Sequence, residues 1–323
     1  MGAYFLRRIL IAFVVLFGIT LIAYTVLSLA PGDPVLARLD PEQLSRMTSA
    51  QVDQRRHELG LDQPIPIRYY HWLTDVVQGN LGFSIVSGRP IAEEMGPRLL
   101  PSLSLLSFAV IVALVVGLPL GILSAVHQYG RSDYLLSAIT IFLISTPTFV
   151  LGLVALYVFG VTLRVLPVGD LYTFGKERDI LDRLAHLAMP GAILGLVNAA
   201  PLMRYTRASM VEVLSSDYVT TARAKGLAGR VVLVRHALRN ALIPVITVLG
   251  YLVPDLVAGA VITETVFNWP GLGQLSVHAA NDRDPALLMG VILIVGAAVL
   301  LSSIVADFAY SVVDPRIRYD QGR

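Results

Sequence analysis

Six stretches of this chain are apolar over enough residues to cross a bilayer, which excludes most soluble folds before any motif is read. A spanning helix needs about 20 predominantly apolar residues, because each backbone N–H and C=O in the hydrocarbon must be satisfied within the segment. The runs lie at about residues 9–30, 104–126, 134–161, 184–203, 241–263 and 286–308. Charged residues are only 15% of the chain, against roughly a quarter in an average soluble domain. The expectation is an all-α membrane protein of about six transmembrane helices.

The first run follows Arg7-Arg8 and ends on Ser28-Leu29-Ala30, a small-residue pattern like a signal cleavage site. A signal core is about 7–15 residues, and this run is longer, so an uncleaved first span is expected. The organisation read from these runs has four parts. Residues 1–30 are the N-terminus and first helix, and 31–100 an extracytoplasmic segment. Residues 101–310 are the core transmembrane domain, and 311–323 a short tail. Within 31–100, Pro31-Gly32-Asp33-Pro34 stops the first helix, and helical patches recur at 43–59 and 67–77. Tyr69, Tyr70, Trp72, Leu73, Val76 and Val77 suit either a helix on the membrane interface or a small cap packed on itself.

Alternating the spans puts both termini on one side. That side then carries thirteen Lys and Arg against five acids, an excess in the short loops that marks it as cytoplasmic. The topology expected is N-in, C-in. Inside the spans, prolines and polar residues are the exceptions to explain. Pro147 follows Ser145-Thr146 in a run of about 28 residues, and a kink there is expected to face a pathway. Asn198 and Asp255 join it as candidate pore-lining residues, since an intramembrane carboxylate is costly unless it faces a cavity or partner. Asp307 stands at a different depth from Asp255, which argues against an aspartyl dyad.

Much chemistry is absent from the sequence. There is no cysteine, hence no disulfide, thiolate metal site or cysteine nucleophile. No G-x-x-x-x-G-K-[ST] is present to bind ATP, no G-x-S-x-G, and no histidine pair at zincin spacing. The six histidines are scattered. No catalytic site, metal or cofactor is expected in this chain, and nothing points to nucleic acid.

The most basic interruption is the loop at 212–243, between the fourth and fifth runs. Arg223, Lys225, Arg230, Arg235 and Arg239 crowd it with few acids beyond Asp217. Its pattern predicts two short helices. Asp217 caps the first, Val219, Ala222 and Gly226 share a face, and Gly226 is the C-terminal stop. The second begins near Arg230, with Val231, Val234, Leu238 and Leu242 as an apolar stripe running into the fifth span. From the residues alone, two roles stay open: a docking surface for another protein, or a topological anchor on anionic lipid.

The wording DYVTTARAKGL…RHALRNALIPV resembles the cytoplasmic loop of the inner-membrane permeases of bacterial ABC importers of the dipeptide, oligopeptide and nickel group. Thr220-Thr221-Ala222 stand where the wider pattern has Glu-Ala-Ala, Gly226 at its glycine and Leu238 at its leucine, with Arg239 in place of its proline. Pro31–Pro34, LGLDQPIPIRYYHWL, GNLGFSIVSGRPI, TETVFNWPGLG and DPRIRY resemble the same group, in the same order. The resemblance implies a coupling role for Asp217, Tyr218, Thr221, Ala222, Arg223, Ala224, Lys225, Gly226 and Leu227. It implies a second, usually non-identical permease, two ATPase domains binding ATP and Mg, and an extracytoplasmic solute-binding protein, all at a bacterial inner membrane. The expected function is the pore-forming permease of an importer for peptides. The alternative is a stand-alone secondary transporter or channel with Asp255 as its ion or proton site.

Overall fold

A computed structural model describes residues 2–30, 48–58 and 60–313. The predicted stop at Pro31–Pro34, the closing 314–319 stretch and the side chain of Asp307 lie outside the described residues. Among them the regular elements are helices, apart from a lone bridge between Phe83 and Pro90. Four helices are long and apolar enough to cross a membrane: Leu6–Leu29, Ile91–Val126, Ile180–Leu214 and Pro285–Ala306. A bent pair, Arg131–Ser145 and Thr148–Thr162, makes a fifth if it counts as one span. The chain divides into two compact units, residues 1–100 with 271–300, and 101–270 with 301–323.

The first unit contains α1 (Gly2–Leu29), α2 (Ser49–Glu58), α3 (Ile65–Val77), the start of α4 (Ile91–Val126), α11 (Leu272–Asn281) and the start of α12 (Pro285–Val313). Helix α3 packs its aromatic face on α1. Tyr69 is buried, shares a 3.0 Å hydrogen bond with Thr20, and meets Phe17, Tyr24 and Trp72 edge-on or stacked. Arg68 donates to Ser28 at 3.0 Å. The aromatic periodicity thus serves contact with the first helix, while Tyr70 and Val77 stay exposed. Ile91, Met95, Leu272, Leu275, Leu287 and Val291 form the core. Asp284 is buried at its edge. One carboxylate oxygen accepts from Leu287 N–H at 2.9 Å and caps α12, and the other accepts from Ser84 Oγ at 2.6 Å and Val86 N–H.

The second unit holds the remainder of α4, α5 (Arg131–Ser145), α6 (Thr148–Ala155) with a π-helical extension Leu156–Thr162, and α7 (Ile180–Leu214). Then come α8 (Asp217–Ala224), α9 (Gly229–Val231), a π segment Val232–Leu238, and α10 (Arg239–Val266). Helices α4 and α7 approach through glycines. A Cβ on Gly117 would lie 2.9 Å from the Ala199 carbonyl, and one on Gly121 2.7 Å from that of Met203. A Cβ on Gly195 would lie 2.6 Å from Val112 Cβ. Gly117/Gly121 and Gly191/Gly195 are both small-x-x-x-small pairs, the spacing that lets membrane helices bring backbones together. Leu105, Ala109, Leu194, Leu256 and Trp269 fill the core, and the Trp269 indole donates to the Pro101 carbonyl at 3.0 Å.

The third apolar run is more sharply broken than a kink. Helices α5 and α6 meet at 104°. Proline removes a donor and pushes the residue before it out of the helical region, and Thr146 accordingly sits at φ −96°, ψ 126°. The Phe142 carbonyl accepts both the Thr146 N–H at 3.0 Å and its hydroxyl at 2.8 Å, which closes the last turn of α5, while Pro147 has no N–H to give to the Leu143 carbonyl.

Candidate functional site

The basic loop folds as the glycine pattern predicts and departs from it in register. Helix α8 ends in a Schellman stop. Gly226 has φ +75°, its N–H donates to the Arg223 carbonyl at 2.9 Å, and Leu227 N–H reaches the Ala222 carbonyl. The N-cap is Ser216, not Asp217, which occupies the first turn and makes no capping bond there. Val219 and Ala222 are buried against Val232, whereas Gly226 is exposed and leaves their shared face. Asp217, Tyr218, Thr221, Arg223, Ala224, Lys225 and Leu227 are exposed too. Two residues therefore anchor the helix, and the rest of its surface is presented outward. Tyr218 is tied back to α10, its hydroxyl accepting from Asn240 Nδ2 at 3.0 Å.

The predicted apolar stripe of the second helix is corrected. Val231 and Val234 are 42% and 55% exposed. The buried positions are Val232, Ala237, Ala241 and Val245. Val232 and Ala237 are five apart and the later ones four, because 232–238 is a π turn, which widens the repeat. Counting at a uniform helical period misplaces Val231 and Val234, while Leu238 is partly buried against the Met210 and Ala241 cluster.

Farther into the second unit, a cavity of about 1060 Å³ opens between α5, α6, α7 and α10. Asn198 and Asp255 both line it, with Thr148, Val197, Pro201, Arg204 and Arg207. The structure thus brings together two of the three predicted pore-lining residues. Pro147 is exposed beside the third contributor, Thr148, at the α5–α6 break. Two contacts set the level of Asp255. Gly259 faces Leu194, where a Cβ would lie 2.9 Å from Leu194 Cδ1, and Ser209 Oγ donates to the Ala241 carbonyl at 2.8 Å. The two contacts differ by one turn in antiparallel register, which places Asp255 level with the Gly195–Asn198 turn of α7. The Asn198 amide nitrogen donates to the Leu194 carbonyl at 2.8 Å. Pro201 has no N–H to give to the Val197 carbonyl, one turn earlier on the same wall.

One element of the site was missed in the sequence. Asp133, on the first turn of α5, is buried and receives a bidentate pair from Arg207 on α7, Nε and one terminal nitrogen each at 2.7 Å. Ser124 Oγ and the Tyr129 N–H complete its shell. Both residues read as ordinary loop charges flanking apolar runs. Their separation of 74 positions hides the pairing. The Arg207 charge is therefore committed. Among the described residues, neither Asp255 nor Arg204 has a side-chain hydrogen bond or ion pair, and no group of three His, Cys, Asp or Glu is gathered to hold a metal.

Comparison with known proteins gives one consistent result. Residues 117–319 match the family described as binding-protein-dependent transport system inner membrane component. Residues 1–89 match its N-terminal membrane component. The chain is 43% identical over 321 residues to a Brucella ovis protein that carries a peptide permease name, covering 98% of each. It is 39% identical over 320 residues to the oligopeptide transport system permease protein AppB of Bacillus subtilis, covering 99% of this chain and all of that one. A chain of the inward-facing MetNI methionine ABC transporter superposes with a TM-score of 0.55 over 68% of this chain and 96% of its own. At 18% identity that is a likeness of fold.

Proposed function

Because this chain belongs to the family of inner-membrane components of binding-protein-dependent transport systems, we propose that it is a peptide permease subunit of an ATP-binding-cassette importer. It is a multi-pass protein of the inner membrane. In this reading α1, α4, the α5–α6 pair, α7, α10 and α12 are six spans, with both termini cytoplasmic. The 28-residue α10 has the length to cross, at about 1.5 Å per residue. A second, non-identical permease completes the pore, two ATPase domains supply the free energy, and a solute-binding protein delivers the peptide outside.

The observation that carries the reading is α8. It is a short helix with an exposed polar face that ends on Arg223, stopped at Gly226 and anchored by Val219 and Ala222 beside the path into α10. A groove on a partner ATPase can hold such a helix as a ball joint, and displacement of α8 would pass through the π segment into α10. Asp217 through Leu227 then form the coupling surface. The absence of a P-loop in the sequence agrees with ATP and Mg being bound by the partners. Residues 1–30, 31–100, 101–310 and 311–323 serve as anchor, extracytoplasmic segment, permease core and tail.

The test is reconstitution. The chain with its partners should take up peptide into vesicles only with ATP, and Gly226→Asp should leave ATP hydrolysis running while uptake falls at least tenfold. Uptake by the chain alone, driven by an ion gradient without ATP, would instead establish a secondary transporter with Asp255 as its site. Normal coupling in Gly226→Asp would remove the docking role from α8.

A further inference from the structure

The cavity in the second unit contains charges that its fold does not use. Three chargeable side chains line it: Arg204, Arg207 and Asp255. Arg207 lines the wall but is neutralised by Asp133 at 2.7 Å. The remaining two, Asp255 and Arg204, are exposed to the cavity with no partner among the described residues. Both are open to a visiting group of opposite charge.

Their placement describes that visitor. Asp255 stands level with the Gly195–Asn198 turn, and Arg204 lies six to nine residues further along α7, about 9–14 Å down the axis at 1.5 Å per residue. Acceptors are available around Asp255. They are its own carboxylate and the Val197 carbonyl, which Pro201 leaves without its helical donor. Acceptors at one level suit an ammonium. At the other, a guanidinium presents paired N–H groups that match a carboxylate. A solute with an ammonium at one end and a carboxylate at the other, about 9–14 Å apart, fits both. Unblocked tri- and tetrapeptides, at roughly 3.3–3.6 Å per extended residue, span about 10–14 Å.

We propose that this cavity holds an unblocked short peptide by its two ends, Asp255 binding the α-ammonium and Arg204 the α-carboxylate. The proposal rests on the peptide reading above and adds which parts of the peptide the permease itself senses. Side chains of the peptide are left to the apolar wall of Ile141, Ile144 and Ala258, so recognition would be tolerant of sequence and strict about free ends.

The experiment is a matched set of mutants and blocked ligands, on the purified complete transporter without its binding protein. Equilibrium binding is measured for radiolabelled trialanine, N-acetyl-trialanine and trialanine amide. Wild type should bind trialanine saturably, with each blocking group weakening binding about tenfold or more. Asp255→Asn should lose the same factor and become indifferent to N-acetylation while still penalising the amide. Arg204→Gln should show the mirror pattern, and Asp255→Glu should keep discrimination. The wild-type comparison needs no variant to fold. The inference is overturned if wild type binds no trialanine, if it ignores both blocking groups, or if N-acetylation costs Asp255→Asn as much as wild type. ATP-driven uptake of trialanine with the binding protein present separates the two levels. Uptake without end discrimination in the cavity removes only this inference, whereas no peptide uptake removes the reading beneath it.

Discussion

Thr206 is buried where α7 meets Gly121, and its hydroxyl has no hydrogen-bond partner. Replacing an unbonded buried hydroxyl by a methyl of the same shape relieves a desolvation cost of about 1 kcal/mol or more. Thr206→Val should therefore raise the thermal unfolding midpoint of the purified protein, and a clear drop would reveal a partner for the hydroxyl. Asp133 and Arg207 present the opposite case. Removing one member of a buried, hydrogen-bonded pair strands the other charge, which costs about 3–5 kcal/mol. Asp133→Ala alone should destabilise strongly, while Asp133→Leu with Arg207→Met should recover most of the loss. A thermal-shift double-mutant cycle measures it, and additive effects would show that the two do not act as a pair.

At the scale of elements, glycine contacts decide how closely helices pack. Gly195→Val should push α4 from α7, because the new Cβ would meet Val112 Cβ at 2.6 Å, and overpacking of this kind costs about 1–3 kcal/mol. Gly18→Ala on α1, with nothing within 4 Å of its Cβ, should be neutral or stabilising by contrast. The pair distinguishes packing from a general intolerance of larger residues. Sequence pattern located α8, its stop and the break at Pro147, since each depends on residues within one turn. It failed on the face that follows. The π turn at 232–238 adds a residue to the repeat, so Val231 and Val234 point away and Val232 and Ala237 point in.

For the molecule as a whole, the side of the membrane on which each loop lies can be read directly. The chain has no cysteine, so single reporters are clean. Phe174 is 97% exposed in the loop before α7, and Arg235 is exposed in the basic loop. Phe174→Cys should react with a membrane-impermeant maleimide from outside intact cells, and Arg235→Cys only after the membrane is opened. The reverse pattern would invert the topology.

The sequence by itself determined that the chain lives in a membrane, where its apolar runs lie, and that a basic loop with a glycine stop interrupts them. These are properties of composition and of neighbours along the chain, and hydrophobic length and backbone chemistry suffice to express them. Tertiary structure decided which charges are spent and which are left over. Whether Arg207 or Arg204 is neutralised depends on Asp133 arriving from another helix, and where Asp255 falls along α7 depends on how α10 packs against it. Local sequence carries neither, because both are set by contacts between helices far apart along the chain.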